Sequence, residues 1–194
     1  MVEVTVDLTD DLLERFGNMA GALGEKKARV AFARAVNRTT NSVAGRVIKA
    51  IVRQSSIPRA EVVKAIRVRL AAHNISTSNP TAVEGRIWAS GMPLSLKAFK
   101  PKQFKPGTRA KVWGKHQMYP HTFMGPRPGV KAGKLQGHVF VRVTGDRLPI
   151  QKVWGPSVPQ EMVRDLSAKI FHETVAEMLP QRVEHELSRM LPNG

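Results

Sequence analysis

The stretch from Lys26 to Gln54 constrains the fold more than any other. Phe32, Val36, Val43, Val47 and Ile51 recur at three- and four-residue steps with Thr40 between them. That spacing draws one apolar stripe along a single helix. At 1.5 Å per residue the helix spans roughly 40 Å, and its stripe needs a partner surface over that whole length. Arg34, Arg38, Ser42, Arg46, Lys49 and Arg53 fall on the other side. Such a row is either an ordinary solvated helix face or a contact surface for DNA or a neighbouring subunit.

Around this rod the chain reads as short pieces. Val2, Val4, Val6 and Leu8 alternate with Glu3, Thr5 and Asp7, the pattern of a half-buried strand and not of a signal peptide. Thr9 is placed to cap a short helix ending near Gly17 or Gly21, with Asp10 and Asp11 beside its positive end. Ser55-Ser56-Ile57-Pro58 interrupts the long helix, and Pro58 suits the first turn of another over Arg59 to Ala65. Ile66, Val68 and Leu70 then alternate with Arg67 and Arg69 as a strand. Val83, Gly85, Ile87 and Ala89 form its expected antiparallel partner, beyond a polar loop from His73 to Pro80. Arg109 to Trp113 alternates again.

The stretch from His138 to Gln160 holds four signals in a row. Val139, Val141 and Val143 alternate with polar and aromatic residues; Gly145-Asp146 is turn chemistry; Leu148 to Val153 is a second extended piece. Gly155-Pro156 stops the chain, and Ser157-x-x-Gln160 fits a capping box. A helix follows to Leu179, with Met162, Leu166, Ile170 and Met178 on one face and Phe171 and Val175 at its margin. Pro180 kinks or ends it, and Val183, Leu187 and Met190 make a last short amphipathic piece. Segments 92–107 and 114–137, rich in Gly, Pro and Lys/Arg, are expected to be extended basic loops or arms. The expectation is a single α+β domain over residues 1–194. An antiparallel sheet of about four to five short strands should pack against both long helices, with the basic loops projecting.

Charge narrows the function. The chain carries a formal net charge of +16, but unevenly: residues 1–25 are net −5, residues 26–154 net +23 and residues 155–194 net −2. No acid lies between Glu84 and Asp146. A solubilising surface mixes signs; a block of one sign meets phosphate or an acidic protein surface. The candidate contacts are Lys97, Lys100, Lys102, Lys105, Arg127, Lys131 and Lys134. No zinc finger or RNP motif appears, so sequence-specific reading is not expected. Trp88, Trp113, Tyr119, Phe123 and Trp154 could stack on bases, but large aromatics more often serve burial.

Catalytic chemistry finds no constellation. The six histidines show no ligand spacing, and neither a GxxxxGK[ST] loop nor a GxGxxG fingerprint is present. Glu61, Glu84 and Asp146 are too scattered for a two-metal nuclease. With no cysteine, disulfides and thiolate metal sites are excluded. No run of 18 apolar residues could form a membrane span. The expectation is a protein that is not an enzyme and takes no cofactor or metal.

Several pieces share an order with a known family. These are VFVR at 139–142, RLPI at 147–150 and GPSVP at 155–159, with Ala33-x-x-x-Asn37-Arg38-Thr39, Arg86-Ile87-x-x-Ser90-Gly91-x-Pro93-Leu94 and Phe99 before them. Their joint spacing, from about Ala28 to about Met178, resembles the prophage minor tail protein Z family of tailed phages. The resemblance implies a virion protein that acts late in tail assembly, in the host cytoplasm, at the head-proximal end of a long tail. It would make completed tails competent to join heads and would place the DNA end. It also implies a homo-oligomeric ring, sixfold by analogy with how tails are built, beside tail-terminator or connector proteins. In such a ring Arg142 and Arg147 could pair with Asp7, Asp10 and Asp11 of a neighbour, since Arg suits bidentate carboxylate pairing. The plainer reading of Arg142 and Arg147 is a surface ion pair, for instance with Asp146, which would be worth little. The alternative class is a cellular, nonspecific nucleic-acid-binding protein, which keeps the charge and drops the virion.

Overall fold

The structure is a computed structural model that describes residues 1–7, 10–71, 83–125 and 135–191. Strand β1 (Val2–Asp7) and helices α1 (Asp10–Arg15) and α2 (Gly17–Leu23) lead into the long helix α3 (Glu25–Ser55). Helix α4 (Arg59–Ala65) and strands β2 (Ile66–Arg69) and β3 (Glu84–Ala89) follow. After a 3-10 turn at Leu96–Phe99 come β4 (Lys102–Phe104), β5 (Gly107–Val112), β6 (Lys115–Pro120), β7 (Thr122–Met124), β8 (Val139–Arg142) and β9 (Ile150–Lys152). Helices α5 (Val158–Met162) and α6 (Asp165–Met190) close the chain. The class is α+β, as expected. Thr9 and the loop from His73 to Pro80 lie outside the described residues.

Helix α3 departs from the expected Lys26–Gln54 by one residue at each end. Every member of its stripe, from Phe32 to Ile51 and including Thr40, is buried. Ala28, Ala31, Ala33, Ala35, Ala44 and Ala50 are buried too, because α3 has α6 against it as well as strands β1, β2 and β3. The helix stops where Ser56 turns left-handed (φ 62°) and its N–H returns to the Val52 carbonyl. Strand β3 approaches α3 closely at Gly85, where a Cβ would lie 2.1 Å from Thr40 Oγ1. No side chain fits there. The Thr40 hydroxyl meanwhile donates back to the Val36 carbonyl at 2.7 Å.

The C-terminal region corrects three expectations. The region packs mainly along α3, and its short helix α5 is the part that touches the sheet, at β1 and β3. It breaks at Val163–Arg164, not at Pro180, which sits inside α6. Gln54 enters the α5–α6 junction and bonds both sides of the break. Its Nε2 donates to the Glu161 carbonyl (2.8 Å) and carboxylate (2.9 Å), and its Oε1 accepts the Ser167 N–H (3.1 Å). Pro180 forfeits one helical hydrogen bond, but its neighbours Leu179 and Val183 are buried and hold the helix in place. The buried face is also different: Phe171, Thr174, Leu179, Val183, Glu186 and Leu187, with Leu166, Ile170 and Met178 only half-buried. Polar residues share this face because α3 offers partners for them, which an apolar count does not register.

Instead of one sheet of four to five strands there are three antiparallel sheets of three, ordered β1-β3-β2, β4-β5-β6 and β7-β8-β9. In the first, β3 is central, with Ile87 opposite both Val4 and Val68. The expected pairing of β2 with β3 is present. The third holds the strand, turn and extended piece expected at 139–153, with β8 and β9 antiparallel. Ser157 is the N-cap of α5, but its hydroxyl makes no capping bond, so the capping box does not form.

The expected loops at 92–107 and 114–137 are in part regular. The first contains the 3-10 turn and β4, the second β6 and β7. Their prolines mislead because they sit at margins: Pro101 precedes β4, Pro106 is in the β4–β5 turn and Pro120 ends β6. Residues 126–134 lie outside the described residues. The Gln103 side chain ties the second sheet to the third. Its Oε1 accepts the Met124 N–H (2.8 Å) and the Thr108 hydroxyl (3.3 Å), and its Nε2 donates to the Gly107 carbonyl (3.1 Å).

Candidate polyanion-binding face

Strand β5 decides the site. Thr108, Ala110 and Val112 are buried, so Arg109 and Lys111 point outward between them. Residues directly opposite on neighbouring strands share a face. Lys102 and Met118 flank Arg109, and His116 stands beside Lys111. Phe104, two residues beyond Lys102, completes the same face. Lys100, left-handed at φ 49°, leaves the 3-10 turn at its border. Phe99, Lys100, Lys102, Phe104, Arg109, Lys111 and His116 line a cleft of about 400 Å³.

Among the described residues none of Lys100, Lys102, Arg109 and Lys111 pairs with an acid. The chain offers no acid of its own from residue 85 to residue 145, and the fold pairs none from elsewhere with these four side chains among the described residues. Four like charges around one cleft repel one another unless anions gather there. A polyanion releases those counterions and takes their place.

Both ends of the face are fixed. At the β5–β6 turn, Trp113 N–H donates to the Ser55 carbonyl (3.1 Å), and Gly114 N–H to the Ser56 hydroxyl (2.9 Å). The Trp113 indole N–H donates to buried Glu161 at 3.0 Å. Glu161 thus joins Gln54, the end of α3 and the hairpin in one cluster. At the other end, Gln103 holds β4 and β5 to β7. The cations therefore stand on a rigid platform.

The anticipated contacts divide. Lys100 and Lys102 line the cleft. Lys105 is exposed in the β4–β5 turn, and Lys97 donates to the Gln136 carbonyl at 2.6 Å, so neither lines it. Arg127, Lys131 and Lys134 lie outside the described residues. Arg109, Lys111, His116 and Phe104 were not anticipated. The alternation from Arg109 to Trp113 was the available signal, because it sets both cations on one side.

Beside the face, His138 stands with Nδ1 2.8 Å from Ser95 Oγ and Nε2 3.5 Å from Lys152 Nζ. Burial, and then the charges of Lys152 and Lys97, pull its pKa below the ordinary imidazole value. A neutral ring that accepts at Nε2 would donate from Nδ1 to Ser95.

The other anticipated sites have different roles. On α3, Arg38 reaches buried Glu186 at 3.1 Å, and Arg46 reaches Glu177 and Thr174 at 3.3 Å each, so these two cations face α6. Glu186 also has Arg189 at 3.6 Å, yet neither carboxylate oxygen receives a hydrogen bond. Arg142 Nη1 donates to the carbonyls of Asp146 (3.4 Å) and Arg147 (2.9 Å), and its guanidinium lies 5.1 Å over Phe123. It braces its own loop. Arg147 is exposed without an ion pair among the described residues; Asp7 ends β1, and Asp10 and Asp11 begin α1. Among the described residues no group of three His, Asp or Glu could hold a metal. Nor is any described helix long and apolar enough to cross a membrane.

No family model matches the chain, and neither a curated protein nor a solved structure does.

Proposed function

We propose that this chain is a structural protein of a long phage tail, acting in tail completion and head–tail joining. Its β4-β5-β6 face lies against the DNA backbone at the head-proximal end. The observation that carries the reading is a face of four cations that pair with no acid among the described residues. The ordered likeness from about Ala28 to about Met178 supplies the tail context. A homo-oligomeric ring, sixfold by analogy, would repeat the face around the DNA path, beside tail-terminator or connector proteins. Arg147 is the side chain left for a neighbour's Asp7, Asp10 or Asp11, since Arg142 is engaged at home. The action is positioning, with no chemical step, cofactor or metal.

Electron microscopy of a lysate from a phage with this gene interrupted tests it. Tails of normal length that accumulate apart from filled heads are the expected result, as are joined particles that fail to deliver DNA. Normal, infectious particles overturn the reading. The second reading, a nonspecific nucleic-acid-binding protein of the cell, is favoured by the same face, which one chain completes alone. Tight, strongly salt-dependent DNA binding by the free monomer, together with normal particles, would select it.

A further inference from the structure

We propose that the β4-β5-β6 cleft takes a single nucleic-acid strand rather than a duplex. Phosphates sit on Lys100, Lys102, Arg109 and Lys111, and a base stacks on Phe104. The proposal rests on the nucleic-acid reading of the face and names the form of the ligand. Three observations carry it. First, Phe104 stands on the outward face, 42% exposed, among cations. A solvated basic strand gains nothing by exposing a phenyl ring, whereas a strand-binding groove needs a stacking surface. Second, the cross-strand partner of Phe104 is Gly107, which has no side chain to cover the ring. Gly107 is also held to glycine by the backbone, since a Cβ there would lie 2.0 Å from the Tyr119 carbonyl oxygen. Third, the cleft of about 400 Å³ is the size of a small-ligand pocket. It admits a nucleotide unit with a splayed base. A duplex keeps its bases stacked inside and could offer only its backbone to the rim.

The stacking is sequence-tolerant, because every base has a π-face. That agrees with the lack of any base-reading motif in the chain.

The test is fluorescence anisotropy of the full chain with three probes: a short oligothymidylate, the same strand paired with oligoadenylate, and a polyglutamate peptide. The single strand is expected to bind about tenfold more tightly than the duplex at the same salt. Phe104→Ala should weaken strand binding about tenfold and leave duplex binding unchanged. Phe104→Leu, which keeps apolar bulk without the ring, should behave like Phe104→Ala and guards against a folding artefact. Lys102→Gln and Lys111→Gln should each flatten the salt dependence for the strand by about 0.7 in logarithmic slope. Lys169→Gln, an exposed charge on α6, should change nothing. Equal binding of strand and duplex, or strand binding indifferent to both Phe104 variants, overturns the proposal and leaves the face as a backbone contact. Polyglutamate binding tighter than either nucleic acid overturns the proposal and the DNA reading together.

Discussion

Helix α3 and the β4-β5-β6 sheet each carry a row of cations, and the two rows are matched to different degrees. On α3, Arg38 and Arg46 turn toward α6 and find Glu186, Glu177 and Thr174, whereas Arg34, Lys49 and Arg53 form no ion pair among the described residues. On the sheet, Lys102, Arg109 and Lys111 find no acid among the described residues and frame a cleft. The rows look alike in the sequence. What separates them is whether the fold brings a counter-charge within reach. The acids sit mainly in the first 25 and last 40 residues, and α6 delivers part of the second group to α3. On the sheet side Glu161 meets the Trp113 indole at the hairpin end, and among the described residues no acid pairs with Lys102, Arg109 or Lys111. A cation matched from within serves the fold; one left unmatched is available to a partner.

The largest break in this contrast is expected at Glu161, which links the two regions. Glu161→Ala removes a carboxylate shared by Gln54 and the Trp113 indole, leaves Gln54 only the backbone carbonyl of that residue, and should cost about 2 kcal/mol. It should also loosen the hairpin and weaken nucleic-acid binding, although Glu161 itself repels phosphate. Urea unfolding and a binding titration on the same sample check both effects. Next is Arg38→Gln, which takes the nearest cation from a carboxylate that stays buried. A loss of about 2 kcal/mol is expected, with nucleic-acid affinity unchanged. The reverse profile belongs to the sheet: Lys102→Gln should shift stability by no more than about 0.5 kcal/mol while lowering nucleic-acid affinity.

The smallest effect concerns pH. His138 has a pKa below its unfolded value, so the unfolded chain binds the extra proton first. Its contribution is full above the ordinary imidazole pKa and is lost as pH falls through that value toward the lowered one. The urea midpoint should drop slightly over that window. In His138→Gln the part of the drop due to this residue should be absent.

How much of this was legible depended on whether a residue's partner was close in sequence. Helix α3 was legible to within one residue because its stripe is a property of one segment. The β2–β3 pair was legible because both strands alternate cleanly, and β8 and the extended piece holding β9 were legible as elements, though not as a pair. The Gln54 bridge at the α5–α6 break was not legible, since Gln54 lies 107 residues from Glu161. The face of α6 was missed because Thr174 and Glu186 are buried only through arginines on a distant helix. The cleft was half legible: the missing acids marked the region, but the prolines at strand margins disguised β4, β6 and β7 as loop. Arg109 and Lys111 were hidden in plain alternation.

The most direct test compares two double variants that remove the same charge, Arg38→Gln with Arg46→Gln and Arg109→Gln with Lys111→Gln. The measurement is the salt dependence of affinity for a short oligothymidylate. If the fold has divided the two rows as described, only the sheet variant weakens binding and flattens the slope, by about 1.4 for two lost contacts. The helix variant should match the unaltered protein wherever it remains folded. Equal losses from both would mean that net charge alone governs binding, and the sheet face would have no special standing.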